Sequence, residues 1–138
     1  MRSAKRALRF ALRFVFLGMT CFVSGPGAAQ GNFPYDRELV MDVAPMRGSK
    51  RIPNLDIRSN GAVEIEMWCN KVDAQLVIAA DTLTVLAGPQ TNRSCSPAQE
   101  QGDADLLQAL SEITNWRWQG DILVLIGPKP LRFRLATN

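Results

Sequence analysis

The amino-acid sequence predicts a small α+β domain that is mainly β, a curved, barrel-like antiparallel sheet with one amphipathic helix. In residues 62–68, Val63, Ile65 and Met67 share one face of a predicted strand and Glu64, Glu66 and Trp68 share the other, the pattern of a strand with one buried face. Asn60-Gly61 stands directly before them, and Asn-Gly between strand-like runs is a strong hairpin signal. A single segment, residues 103–113, carries a helical apolar stripe. We expect about seven or eight strands.

The first 29 residues have the three parts of a secretory signal peptide. Five basic residues precede an uncharged apolar run over residues 14–23, and Gly27-Ala28-Ala29 supplies the small residues that signal peptidase prefers. The apolar run would rise only about 15 Å as a helix, which is too short for a bilayer core. We therefore expect cleavage after Ala29 and a periplasmic or secreted mature protein.

A lipid anchor on Cys21 is the alternative route of processing. Lipoprotein signals place Leu or a similar residue three positions before the modified cysteine and small residues directly before it. The corresponding residues here are Gly18, Met19 and Thr20. Because this match is poor, we expect the mature protein to have no lipid anchor and to meet the membrane only through its signal peptide.

Removal of the signal peptide reverses the sign of the net charge. The whole chain has 16 Lys+Arg and 13 Asp+Glu, a formal charge of +3. Five of the basic residues lie in the signal, so the mature chain has 11 basic and 13 acidic residues and a formal charge of −2. No basic stripe with interleaved aromatic residues remains, which argues against nucleic-acid binding.

The mature chain is long enough for one domain. Its first residues, 30–36, are rich in Gly, Asn and Pro and predict a flexible N-terminal arm, followed by a domain over residues 37–138. Two cysteines remain in this part, Cys69 and Cys95. Because an exported protein matures in an oxidising compartment, we expect them to form a disulfide that stabilises the fold by about 3–4 kcal/mol.

The other strand-like runs are short and bounded by turn signals. They cover residues 38–44, 54–57, 72–78, 81–86, 115–119, 122–126 and 131–135. Gly88-Pro89 is expected to end the strand before it. In the last run Leu131, Phe133 and Leu135 alternate with arginines, so all three are expected to face the core.

The single predicted helix begins near Ser96-Pro97. Ser96 and Gln99 form a capping-box pattern, and Pro97 suits the first helical position. Gly102 is expected to interrupt this helix, leaving either a bent helix or a turn followed by a helix from about residue 103. The apolar side chains expected to cover the sheet are Leu106, Leu107, Leu110 and Ile113.

Residues 45–53 form a predicted loop with a basic centre. Arg47, Ser49, Lys50 and Arg51 have the side chains to contact an anion. The alternative is an ordinary solvated loop. Since nothing in the adjacent sequence fixes a geometry for these side chains, we expect the solvated loop.

Three motifs carry a resemblance to a known family, namely Cys69-Asn70, Asp81-Thr82-Leu83-Thr84-Val85 and Thr91-Asn92-Arg93-Ser94-Cys95. They resemble the Gly-Cys-Asn, Asp-Thr-Leu-Thr and Thr-Arg-Met-Ala-Cys motifs of the META domain, the family that includes the heat-shock protein HslJ. The resemblance extends over about residues 63–135. It implies a barrel-like fold and a role in the envelope or in stress response, and it implies no known catalytic activity.

The side chains present exclude the commonest catalytic arrangements. The chain has no histidine, so Ser-His-Asp and Cys-His catalysis are impossible within it. Ser-Lys catalysis needs an activated lysine, and Lys50, Lys71 and Lys129 all fall in predicted turns or loop edges. Disulfide-bonded cysteines provide no thiolate for nucleophilic attack or metal binding. We expect no enzyme activity, no cofactor and no metal.

Trp116 and Trp118 are the candidate binding residues. Spaced two apart on one predicted strand, they lie on the same face and would make an aromatic platform for a sugar or a peptide. The alternative, which we favour, is that at least one of them fills the core.

Taken as a whole, the sequence predicts one of two functions: binding or stabilising an unidentified envelope protein, or binding a small apolar ligand in the mouth of the curved sheet.

Overall fold

The computed structural model describes residues 31–137, which form a closed antiparallel barrel of eight strands with one helix. The elements are β1 (Arg37–Met41), β2 (Asn54–Ile57), β3 (Ala62–Glu66), β4 (Lys71–Ala79), β5 (Thr82–Gln90), α1 (Pro97–Ser111), β6 (Asn115–Gln119), β7 (Ile122–Ile126) and β8 (Leu131–Leu135). The predicted fold class is confirmed. The predicted signal peptide, its cleavage site after Ala29, and Cys21 lie outside the described residues.

Each strand pairs with the next along the chain, and β8 pairs with β1 to close the ring. Successive connections therefore lie at alternate ends of the barrel. The turns at 58–61, 80–81 and 120–121 lie at one end, together with residues 31–36; we call this end the mouth. The loops at 42–53, 67–70 and 127–130 lie at the other end, where α1 begins; we call this the helix end.

Side chains from the inner face of every strand fill the barrel. Alternate residues of β3, Val63 and Ile65, are buried as predicted, and Phe133 and Leu123 are completely enclosed. The prediction for Leu135 is wrong, because its side chain is 36% exposed. Leu135 is the last residue of β8, at the mouth, where no further layer of side chains covers it.

The Asn-Gly hairpin forms where the sequence predicts it. Gly61 has φ of +79°, and a Cβ on it would lie 2.7 Å from the Leu76 carbonyl oxygen, so this position favours glycine on two counts. The Arg58 N–H donates to the Ala62 carbonyl at 2.8 Å and closes the turn. The turn therefore fixes the register of β2 against β3.

β1 is shorter than predicted and ends at Met41. Beyond it, the Asp42 carboxylate contacts the guanidinium groups of Arg132, at 3.8 Å, and Arg134. The Asp42 N–H donates to the Arg132 carbonyl at 2.8 Å, so the chain leaves the sheet while still held to β8. Composition alone did not mark this end, because Val43 and Ala44 continue the apolar character.

β5 continues through Gly88-Pro89 to Gln90, contrary to the predicted stop. Ala87 pairs with Ala74 and Gln90 pairs with Val72, so β5 has one residue more than β4 between these two pairs. This is a β-bulge, a place where a sheet accepts a proline without losing the rest of the ladder. Gly88-Pro89 therefore lies within this bulge and does not end the strand.

The helix is continuous through Gly102. Ser96 caps it reciprocally: its hydroxyl accepts the Gln99 N–H at 3.4 Å, and its own N–H donates to the Gln99 side-chain oxygen at 3.1 Å. β6 pairs with β5 only at Thr82–Asn115, and α1 lies against β5. Buried Leu106 and Leu110 thus complete the wall where the two strands diverge.

Gly102 is required by packing. A Cβ at this position would lie 2.6 Å from Trp68 Cδ1 and 2.8 Å from Met46 Cε. We expect G102A to lower the free energy of unfolding by about 1–2 kcal/mol, because overpacking against the indole outweighs the better helix propensity of alanine. Urea unfolding measures this change. The control A104G, at an exposed position of the same helix, measures the difference in helix propensity between alanine and glycine without the packing contact. A G102A variant more stable than the wild type would contradict the packing argument.

Residues 31–36 lie against the barrel in this structure, in contrast to the loosely held arm expected from composition. Phe33 is only 8% exposed and meets the Trp116 ring edge-on, with ring centroids 5.1 Å apart. The Trp118 Nε1–H donates to the Asn32 carbonyl at 3.1 Å. Two aromatic residues of β6 therefore hold this segment across the mouth.

Candidate functional site

The predicted disulfide is present at the helix end of the barrel. Cys69 and Cys95 are bonded, with their Cα atoms 6.0 Å apart. Cys69 lies in the buried β3–β4 loop, and Cys95 lies directly before α1. The bond thus joins the sheet to the segment that begins the helix.

Asn70, the residue next to the disulfide, organises the segment before the helix. Its side chain is only 6% exposed, and its Oδ1 accepts the Arg93 N–H at 2.7 Å and the Thr91 hydroxyl at 2.9 Å. Thr91 also accepts the Lys71 N–H at 3.1 Å. These contacts explain why the Cys69-Asn70 motif and the 91–95 motif occur together in the sequence.

Asp103 anchors the same loop from the helix side. Its carboxylate is 2% exposed and accepts the Cys69 N–H at 3.0 Å and the Asn70 N–H at 2.7 Å. Sequence reasoning missed this role and treated residue 103 only as a possible helix start. The available signal was its position, three residues before Leu106, which places a carboxylate on the apolar stripe of α1.

The two candidate tryptophans do not form an open platform. Trp116 is 4% exposed, its Nε1–H donates to the Ala80 carbonyl at 2.9 Å, and Phe33 covers its ring. Trp118 is half-buried, and its indole N–H donates to the Asn32 carbonyl. Both side chains point to the barrel interior, as their shared strand face requires, but residues 32–33 occupy the surface they would have offered.

An open pocket of about 390 Å³ remains at the mouth. Phe33, Ile78 and Trp116 give it an apolar wall, and Asp81 adds a carboxylate. The pocket is a hollow beside the docked segment 31–36, and the barrel axis itself is filled by side chains.

The outer surface of β4 and β5 carries a patch without charge. Its six exposed residues are Gln75, Val77, Ala79, Thr82, Thr84 and Leu86; we call this patch the β4–β5 face. Val77 is 52% exposed and Leu86 is 55% exposed. Val77 pairs with Thr84 and Gln75 pairs with Leu86, so the two large apolar side chains are diagonal neighbours on adjacent strands.

Both carboxylates on the outer face of β3 have local contacts. Glu64, which alternates with Glu66 on β3, lies 3.0 Å from Lys71 Nζ, and Glu66 accepts the Asn54 side-chain amide at 3.4 Å. Over residues 31–137 no group of three His, Cys, Asp or Glu side chains is placed to hold a metal ion. α1, the helix of this same region, lacks the length and apolar character needed to cross a membrane.

Comparison with known proteins connects this fold to solved structures. An NMR structure of a protein from Burkholderia xenovorans has a TM-score of 0.60 at 18% identity, over 75% of this chain and 84% of that chain. A second NMR structure has a TM-score of 0.57 at 18% identity, over 72% and 89% of the two chains. At this level of identity the likeness shows a shared fold.

No curated protein matches the sequence. The family model of the META domain, however, matches residues 38–137, which span the whole barrel from β1 to the end of β8. This match includes all three motifs that carried the resemblance in the sequence, and the structure places two of them, Cys69-Asn70 and residues 91–95, in one hydrogen-bonded network around the disulfide. The chain therefore belongs to the META domain family.

Proposed function

We propose that the protein is an exported, non-enzymatic envelope protein that binds or stabilises another envelope protein through the β4–β5 face. The observation that carries this proposal is the exposure of Val77 and Leu86 on adjacent strands. A patch of exposed apolar side chains on a small domain is typical of an interaction site. The N-terminal signal pattern and the disulfide support the assignment to an oxidising compartment.

The chemistry of the β4–β5 face specifies the kind of partner. None of its six residues is charged, and the exposed Asp73 and Asp81 lie only at its two ends, so its centre offers no opposite charge to an ionic surface. Covering the exposed halves of Val77 and Leu86 would contribute about 1 kcal/mol each. The threonines and Gln75 provide hydrogen bonds at the rim of such a contact. The expected partner therefore presents an uncharged, apolar protein surface.

The mouth supports a second candidate, the binding of a small apolar ligand. The pocket of about 390 Å³ there has the size and apolar wall of a ligand site. Phe33 and Asn32, however, already contact Trp116 and Trp118, which leaves Trp116 only 4% exposed to a ligand in this pocket. The geometry therefore favours the β4–β5 face over the mouth.

In-cell crosslinking tests the proposal. A photo-crosslinking phenylalanine analogue at position 77 or 86 is expected to give a discrete adduct with one identified envelope protein, whereas the same analogue at exposed Arg117, on β6, is expected to give none. The purified partner should bind V77D/L86D at least about tenfold more weakly, because two carboxylates would be buried without partners. Identical adducts from all three positions, or unchanged affinity of V77D/L86D, would contradict the proposal.

A further inference from the structure

We propose that the groove beside the disulfide is a binding site for an oxyanion of the phosphate class. Lys50, Arg51 and Arg93 line this groove, which has a volume of about 340 Å³ at the helix end of the barrel. The first two come from the β1–β2 loop, and Arg93 comes from the segment before α1. The proposal is independent of the β4–β5 face, which lies on a different surface.

The charge of the groove opposes that of the mature chain. Three of the 11 basic residues of the mature chain line it, and no aspartate or glutamate does, although acidic residues outnumber basic ones overall. Glu100 lies in the adjoining hollow, which Arg93 also lines, and its Oε1 accepts the Cys95 N–H at 3.4 Å, so one carboxylate borders the groove without lining it. The groove is therefore a local positive site on a domain of formal charge −2.

The three cationic groups have no carboxylate partner within the described part of the chain. The ion pairs of residues 31–137 use Lys71, Arg132 and Arg134 as their cations. Lys50, Arg51 and Arg93 take part in none of them, and their side chains are exposed. A bound anion would supply the counter-charge that these three side chains lack.

The backbones that carry these side chains are held in place. Arg93 donates its N–H to buried Asn70 at 2.7 Å, two residues before the disulfide at Cys95. On the opposite wall, the Arg51 N–H donates to the Ser49 hydroxyl at 3.1 Å, and the Ser49 N–H donates to the Met46 carbonyl at 2.8 Å. Fixed backbones reduce the entropy lost when a ligand orders the side chains.

Several uncharged side chains of the groove can also donate, and Gln99, whose side-chain oxygen accepts the Ser96 N–H, adds an acceptor. The lining includes the hydroxyls of Ser49 and Ser94 and the half-buried indole of Trp68, whose N–H can only donate. Two guanidinium forks and an ammonium match the several oxygens of a phosphate, which arginine binds with two parallel hydrogen bonds. A phosphate group carries up to two negative charges, whereas a carboxylate carries one, so three cations favour the phosphate class.

NMR titration of the exported, disulfide-bonded protein with inorganic phosphate at low ionic strength tests this site. We expect saturable shifts of the amide signals of residues 49–51 and 93–95. R51Q and R93Q should each weaken binding about tenfold, since each removes a charge-assisted hydrogen-bonding group. The control R117Q, an exposed arginine on β6, should leave the affinity within about twofold. If either arginine variant folds poorly, K50Q replaces it in the same phosphate titration.

Sedimentation with vesicles distinguishes a lipid headgroup from a soluble phosphate ester. Binding to phosphatidylglycerol vesicles but not to phosphatidylcholine vesicles, and its loss in R51Q/R93Q, would assign the site to an anionic headgroup. Binding of inorganic phosphate without binding to either vesicle would assign it to a soluble phosphate ester. Both results support the site. The absence of saturable shifts, or an equal loss of affinity in R117Q and R93Q, would overturn it.

Discussion

Replacing both cysteines with serine, C69S/C95S, is expected to lower the free energy of unfolding by about 3–4 kcal/mol. The disulfide joins residues 26 positions apart, so its removal lets a long loop of the unfolded chain move freely. The free energy of unfolding of a small domain is only about 5–15 kcal/mol, so this loss is large. Urea unfolding of the oxidised protein and the variant measures it.

Reduced wild-type protein is the matched control for the serine variant. Its free energy of unfolding should fall to within about 1 kcal/mol of that of C69S/C95S, because both lack the crosslink while their side chains differ only slightly. A loss below about 1 kcal/mol in both proteins would contradict the chain-entropy argument for this bond.

The second large effect is expected for D103N, which should lower the free energy of unfolding by about 2–4 kcal/mol. The Asp103 carboxylate uses its two oxygens to accept the N–H groups of Cys69 and Asn70. An asparagine has one acceptor oxygen, and its amide nitrogen would face one of these donors. Each hydrogen bond to a charged group contributes about 1.5–3 kcal/mol, and a buried N–H left without a partner adds a cost.

D105N is the control for D103N. Asp105 is exposed on the same helix and accepts the Gln101 side-chain amide, which asparagine can also do, so the change should stay within about 0.5 kcal/mol. Because Asp103 and the disulfide hold the same residues 69–70, the combined variant should lose less than the sum of the separate losses. Strict additivity would show that the two contacts act on independent parts of the loop.

Most of the barrel was predictable because its strands carry strong local patterns. The alternation of β3 and the Asn60-Gly61 turn specify face and register together, and both are confirmed. β6 and β7 were also placed correctly, since Gly120-Asp121 is a clear turn between an alternating run and an apolar run. In these segments local preference and tertiary structure agree, so the sequence alone is sufficient to predict the strands and their turns.

The structure differs from the sequence-based expectations where a distant contact outweighs a local signal. Gly102 predicts a bent helix or a turn before the helix, and the observed helix is continuous; the glycine is there because Trp68 of the β3–β4 loop occupies the space that a Cβ would need. Gly88-Pro89 predicts a stop, but a bulge accommodates it. Residues 30–36 predict a free arm, but Phe33 of this segment packs on Trp116 of β6. None of these partners is close in sequence.

The candidate sites were less predictable than the fold, because binding surfaces combine residues from separate segments. Lys50 and Arg51 were noted as possible anion contacts, and the missing information was Arg93, which is 42 positions after Arg51 in the chain. The β4–β5 face likewise depends on the register that sets Leu86 diagonal to Val77. Trp116 and Trp118 were the obvious aromatic candidates, yet residues 32–33 cover them.

The pairing of β1 with β8 also determines when the fold can form during synthesis. Residues 37–41 find their last partner only once residues 133–135 have been made, because Leu39 pairs with Leu135 and Met41 with Phe133. Until then the two strand edges stay open and able to pair with another chain. Closing such a long loop is also slow. Aggregation of the nascent chain is therefore expected to be most favourable before its final strand is available.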